Sequence, residues 1–325
     1  MRFVPDYNLE IIREEAFPTA IREIEQQLEP CRNEGYFVTF DGKKIYYEYF
    51  LAENSVASIV IVHGLSEFTK KFYEVASYFL RQGYNVFLYD QRCHGLSDRL
   101  TDRIDLIHVN RYEDYVKDLQ IFIDTVVIPA DAKPLYLYAH SMGGAVSLLY
   151  LSKHGDRIQK AVLSAPLIEP VSVDLPRWFI CPAVGIAKWF CGRKRKVPLS
   201  SEFNPDHPYR KSADASENRF YHNLNMRRNN PRYQTTPLSF SWNHRTLQLR
   251  PRLLSRRFIR RIQTPLLLLS AEKDTVVKNE PQYIFAERCP VCTLISVPDT
   301  NHGMLAGTFE TITAHIHHTL SFYRD

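Results

Sequence analysis

The hexapeptide Ala139-His140-Ser141-Met142-Gly143-Gly144 constrains this chain more than any other stretch. An apolar run, Leu135 to Tyr138, precedes it and reads as a buried parallel strand. Ala145-Val146-Ser147-Leu148-Leu149 follows and reads as a packed helix. A strand that turns at once into a helix needs positions nearly free of side chains. Gly143 meets that need fully, and Ala139 is the next smallest residue. Such a turn lifts the Ser141 hydroxyl above the sheet and aims the free N–H groups of the helix N-terminus at the same point. A small-x-Ser-x-Gly pattern alone occurs by chance around inert serines. The flanking strand and helix give this one its weight.

The rest of the chain alternates in the same way. Residues 1–34 are a polar, helical lead-in, with Ile21, Ile24 and Leu28 on one face. Tyr36 to Phe40 and Lys44 to Phe50 flank Asp41-Gly42 and predict a hairpin. Buried strands are predicted at Ser58 to Val62, Asn85 to Tyr89, Ile158 to Leu163, Pro265 to Ser270 and Thr293 to Val297, with helical spacing between them. Asn110 with Glu113 has the spacing of a capping box. A βαβα order behind an antiparallel hairpin predicts an α/β fold, a mostly parallel sheet flanked by helices. Its core is residues 35–166 and 263–325.

Alternation breaks over 167–262, an insertion that leaves from the carboxyl end of a strand, where such sheets hold ligands. It is placed to act as a cap. From Pro170 to Ile262 there are 19 Lys+Arg against 5 Asp+Glu, a net of +14, while the rest of the chain carries 22 against 31. That asymmetry suits a face that meets anions. Trp178 to Cys191 is apolar, too short to span a bilayer, and is followed by Arg193-Lys194-Arg195-Lys196. It reads as an acyl-pocket wall, a membrane-resting face, or simply a packed cap helix.

Other features exclude whole classes. Met1 to Glu15 has no apolar signal region, and no run approaches a membrane span, so a cytoplasmic location is expected, with peripheral inner-membrane contact through the cap. The six cysteines lack a disulfide framework, and Cys289-Pro290-Val291-Cys292 reads as a helix-to-strand junction. No metal-ligand spacing, Walker loop or dinucleotide fingerprint is present, so no cofactor or metal is expected. The basic insertion carries no nucleic-acid motif.

A serine hydroxyl needs a neighbouring base. With a strand–Ser–helix turn, the acid and the histidine come later in the chain, each in a loop after a late strand. Ser270-Ala271-Glu272-Lys273-Asp274 and Pro298-Asp299-Thr300-Asn301-His302 are those loops. They nominate Ser141 as nucleophile, His302 as general base and then acid, and Asp274 as its orienting carboxylate. Glu272 is the rival acid, where the chain is still leaving the strand. His63, His94 and His140 violate the order, and His315, His317 and His318 lie past the loop. Oxyanion donors are expected from the Met142 amide and from Leu65, after His63-Gly64. Asp90 and His94 read as structural groups of a turn.

His63-Gly64-Leu65-Ser66-Glu67, Asp90-Gln91-Arg92-Cys93-His94-Gly95-Leu96-Ser97 and His140-Ser141-Met142-Gly143-Gly144 resemble the monoacylglycerol lipase and lysophospholipase branch of the α/β hydrolases, often labelled serine aminopeptidase-like. His108-Val109-Asn110-Arg111-Tyr112, with Asp114-Tyr115-Val116 and Asp118-Leu119, narrows the resemblance to the bacterial lysophospholipase of the L-two type. The likeness is dense over 35–170 and 262–303 and faint across the cap. It implies the same triad and oxyanion donors, in an α/β hydrolase with an inserted cap. Cys93 stands where the family has glycine, and Ala139 where it more often has glycine. The resemblance implies a serine esterase cleaving the acyl ester of lysophospholipids through an acyl-enzyme. Alternatives are a monoacylglycerol or short-ester hydrolase, a lipid acyltransferase, and a non-catalytic binder of anionic membranes on this scaffold.

Overall fold

The computed structural model describes residues 1–131, 133–171, 177–198, 200–209 and 215–325, and the side chains of 177–179 are left aside. Among the described residues eight strands form one sheet: β1 (Asn33–Val38), β2 (Lys44–Phe50), β3 (Ala57–Val62), β4 (Tyr84–Tyr89), β5 (Leu135–His140), β6 (Lys160–Ser164), β7 (Leu266–Ala271) and β8 (Cys292–Val297). Their order is β1-β2-β4-β3-β5-β6-β7-β8. The hairpin β1–β2 and the β2–β4 pair are antiparallel, and every other neighbour is parallel. The expected sheet is therefore present, with strand ends shifted by one to three residues. β1 starts at Asn33, inside the stretch assigned to the lead-in.

The central strands are apolar on both faces because helices cover both. Alternate residues divide between two cores, as a period of two requires. Val60, Val62, Leu137, Ala139 and Leu163 join the cluster under α3 (Tyr112–Phe122) and α4 (Met142–His154). Ile59, Ile61, Tyr138 and Val162 join the cluster under α1 (Phe17–Leu28) and α2 (Tyr73–Arg81). The lead-in helix is thus part of the core, burying Phe17, Ile21, Ile24 and Leu28.

One expected cap is displaced. Asn110 does not open α3; Arg111 precedes it in extended conformation, and Asp114 accepts the Arg111 amide at 3.1 Å. The aspartate reaches back three residues where Glu113 would reach Asn110. Asn110 instead meets the His108 ring at 3.2 Å.

Between β6 and β7 lie α5 (Arg177–Cys191), α6 (Glu217–Asn229) and α7 (Phe240–Leu247). α5 packs on α7, where Gly185 lets the His244 ring approach. Ion pairs tie this segment to the sheet layer. Arg219 of α6 meets Glu74 of α2 at 2.5 Å, and Arg252 pairs with Glu113 of α3. The chain closes with α8 (Asn279–Arg288) and α9 (Phe309–Arg324) on opposite sides of β7 and β8. Cys289 and Cys292 are free thiols at the α8-to-β8 turn, as expected of a bare junction.

Candidate active site

Parallel pairing brings the carboxyl ends of β3, β5, β7 and β8 to one edge. β5 ends there in the tight turn. Ser141 sits at φ +52°, a conformation that a non-glycine residue holds only when its surroundings enforce it. The enforcement is steric and hydrogen-bonded. A Cβ on Gly143 would lie 2.0 Å from the Val62 carbonyl oxygen, so only glycine lets α4 approach β3 this closely. The Ser141 amide donates to the Ser164 carbonyl at 2.9 Å, and the Leu167 amide donates to the Ser141 carbonyl at 2.9 Å. Ala139 is fully buried, so a methyl group is tolerated where the family more often has glycine.

Three of the nominated side chains meet in one line. The Ser141 hydroxyl donates to His302 Nε2 at 2.8 Å, and His302 Nδ1 donates to Asp274 Oδ2 at 2.7 Å. The carboxylate side chain is fully buried, and its other oxygen accepts the amides of Val276 and Val277, each at 2.8 Å. Asp274 is thereby fixed from both ends. Burial holds the His302 imidazole below its ordinary pKa, against the Asp274 hydrogen bond that raises it. The ring is therefore a free base at neutral pH. Glu272, the rival acid, accepts the Asp299 amide at 2.9 Å and braces the His302 loop from outside.

Met142 opens α4 directly after Ser141, and Leu65 follows Gly64, where an added Cβ would stand 3.0 Å from Ser141. The early histidines have other duties. His63 donates from Nδ1 to the Gly64 carbonyl at 2.7 Å and accepts the Gln91 amide at 2.8 Å. His94 donates to the Arg92 carbonyl at 3.0 Å. Asp90 accepts the amides of Thr69 and Leu96. Cys93 adopts φ +64°, so the exchange for glycine falls on a left-handed position.

Sequence reasoning passed over three features. Arg92 is fully buried between Asp118 and Asp41, fixing the turn after β4. Arg219 is buried against Glu74 and Glu14. His140 lies beside the nucleophile and hydrogen-bonds Glu67. Each is a long-range pair that no local spacing marks. A cavity of about 330 Å³ opens between α1, α6 and the His302 loop, lined by Phe17, Ile21, Lys70, Arg219, Phe220 and Met226 among others. Among the described residues no group of three or more His, Cys, Asp or Glu is placed to hold a metal ion.

A profile of the family described as serine aminopeptidase, S33, matches residues 53–308. The chain belongs to this family. It is an enzyme of the serine-hydrolase type that cleaves esters. Lysophospholipase L2 of Escherichia coli K12 is 28% identical over 270 residues, covering 79% of this chain and 75% of that protein. Monoglyceride lipase of Saccharomyces cerevisiae is 30% identical over 142 residues, covering 41% and 44%. A solved soluble variant of that yeast lipase, bound to a substrate analog, superposes with a TM-score of 0.70 at 20% identity, over 88% of this chain and 92% of that one. At that identity it shows the shared α/β hydrolase fold.

Proposed function

We propose that this S33-family enzyme is a lysophospholipase, with residues 167–262 acting as its cap. The observation that carries the proposal is the Ser141–His302–Asp274 line at the foot of a segment whose residues 170–262 carry a net charge of +14. Ser141 Oγ attacks the acyl carbonyl carbon while its proton passes to His302 Nε2. The oxyanion forms where the Leu65 and Met142 amides donate. Collapse breaks the acyl carbon–oxygen bond, and His302 returns the proton to the departing glycerophospho-alcohol. Water then attacks the acyl-serine, giving its proton to His302. Ser141 takes that proton back as the fatty acid leaves. Asp274 keeps Nδ1–H pointed at itself, so Nε2 stays bare for the serine.

The cap supplies the substrate preference in this reading. The cavity beside His302 is lined by apolar Phe17, Ile21, Phe220 and Met226, a wall for an acyl chain, with the Lys70 ammonium among its polar groups. On α5, Pro182, Ala183, Ile186, Trp189 and Phe190 share one exposed face, and Arg193, Lys194 and Arg195 follow directly. Ile186, Trp189 and Phe190 are 59, 78 and 74% exposed. That face fits the cytoplasmic, anionic leaflet of a membrane from which substrate would be drawn. Among the described residues no helix is long and apolar enough to cross a membrane.

The test is product analysis on lysophosphatidylethanolamine, a monoacylglycerol and a short nitrophenyl ester side by side, with and without an acceptor alcohol. Preferred release of fatty acid from the lysophospholipid supports the reading. A preference for monoacylglycerol, the substrate for which the yeast relative is named, moves the assignment there. Transfer to the alcohol makes the protein an acyltransferase.

A further inference from the structure

A second carboxylate–histidine pair lies beside the first. His140 ends β5, immediately before the nucleophile, and its side chain is buried. Its Nδ1 donates to Glu67 Oε2 at 2.9 Å and its Nε2 donates to the backbone carbonyl of His302 at 3.2 Å. Both partners are acceptors only, so a ring serving both carries a proton on each nitrogen. Glu67 is buried in the loop after β3. Its Oε2 also accepts the Gly64 amide at 2.6 Å, and its Oε1 pairs with Lys71. One carboxylate thus joins the loop bearing Leu65 to the loop bearing His302. These groups crowd together: a Cβ on Gly64 would stand 2.8 Å from Glu67, 3.0 Å from Ser141 and 3.1 Å from His140.

We propose that Glu67 and His140 are positioning residues, a second pair that grips His302 by its backbone carbonyl while Asp274 grips it by its ring. A base held at both ends keeps Nε2 on the serine when the loops around it move.

The pair also adds charge. Burial lowers the His302 pKa most, and the positive His140 ring, 5.0 Å away between centroids, lowers it further. The Asp274 hydrogen bond and the Asp274 and Glu67 charges raise it. The groups facing His302 are therefore Asp274 after β7, His140 on β5 and Glu67 after β3. Lys71 stands behind Glu67. His315 on α9, bonded to the Tyr138 hydroxyl, feels the same His140 charge. Burial favours a protonated Glu67, but the His140 and Lys71 charges and their hydrogen bonds outweigh it and hold the carboxyl well below the usual range.

The inference rests on the triad reading, and the test separates the two. The pH profile of kcat/KM is measured on the full chain with 4-nitrophenyl butyrate, for wild type, His140→Gln, Glu67→Gln and Ser141→Ala. His140→Gln removes a positive neighbour, so protonation of His302 becomes easier and the acid limb moves to higher pH, by about half a unit or more. Its kcat falls about tenfold or more, with KM within about twofold. Glu67→Gln, which leaves His140 without its anion, lowers kcat in the same way. An acid limb that coincides with wild type overturns the proposal, whatever happens to kcat. Undiminished hydrolysis by Ser141→Ala overturns the triad reading instead. Should His140→Gln fail to fold, ¹⁵N-histidine NMR of the wild type at pH 7 decides. Protons on both His140 nitrogens support the pair, and one bare nitrogen overturns it.

Discussion

Two segments leave the carboxyl edge of the same sheet, and they are held by different physics. The β5–α4 turn is fixed by close backbone approach: Gly143 beneath the Val62 carbonyl, Gly144 against Pro166, Ser141 tied to Ser164 and Leu167. The segment between β6 and β7 is attached largely through long side chains, Arg219 to Glu74, Arg250 to Glu280 and Arg252 to Glu113. Backbone fit allows almost no substitution, so the turn announces itself in sequence. Side-chain pairing allows many solutions, so the cap does not. The first segment bears Ser141, the proposed nucleophile; the second is the proposed cap, whose side-chain pairing leaves it room to vary.

This contrast predicts where variants act. The largest effect is expected at the edge. Asp274→Asn frees the imidazole to take the wrong tautomer and lowers kcat about 10⁴-fold on every ester, read by steady-state kinetics. A loss confined to lysophospholipids would break the comparison by giving Asp274 a role in substrate choice. Arg219→Met tests the cap's attachment. It strands Glu74, whose side chain is nearly buried, and is expected to cost about 3–5 kcal/mol in chemical denaturation. A cost below about 1 kcal/mol, the worth of a surface pair, would mean that the cap docks by packing alone.

Gly143→Ala is expected to cost about 3 kcal/mol or more, because its methyl meets a backbone oxygen that cannot swing aside. A neutral result in thermal unfolding would show that the turn relaxes as a side-chain contact does. The smallest effect is expected on the exposed face of α5. Trp189→Ser with Phe190→Ser leaves the fold and short-ester turnover intact, while sedimentation with phosphatidylglycerol vesicles falls about tenfold or more. Unchanged vesicle binding would leave that face without a membrane role.

The same contrast explains what the sequence made legible. The strands were readable because Val60, Val62, Ile59 and Ile61 must alternate between two covered faces. The proposed triad rests on a fold that places an acid and a histidine after late strands, and Asp274 and His302 stand there within hydrogen-bond reach of one another and of Ser141. The Asn110 cap was misplaced because Asp114 competes for the same helix end and wins by one residue. His140 and Glu67, Arg92 and Asp118, and Arg219 and Glu74 are partners 73, 26 and 145 residues apart, and local patterns carry no trace of such distances. The place of His140 in the chain bars it from being the base, which says nothing of its holding the base.

The central claim is that Ser141 carries the acyl group of a lysophospholipid. Release of free fatty acid from lysophosphatidylethanolamine, by wild type and by Ser141→Ala under one condition, tests it most directly. The account predicts turnover by the wild type and a fall of about 10⁶-fold, to background, in the variant. Equal release by both proteins would contradict it, as would a wild type that leaves the lysophospholipid intact while cleaving short esters.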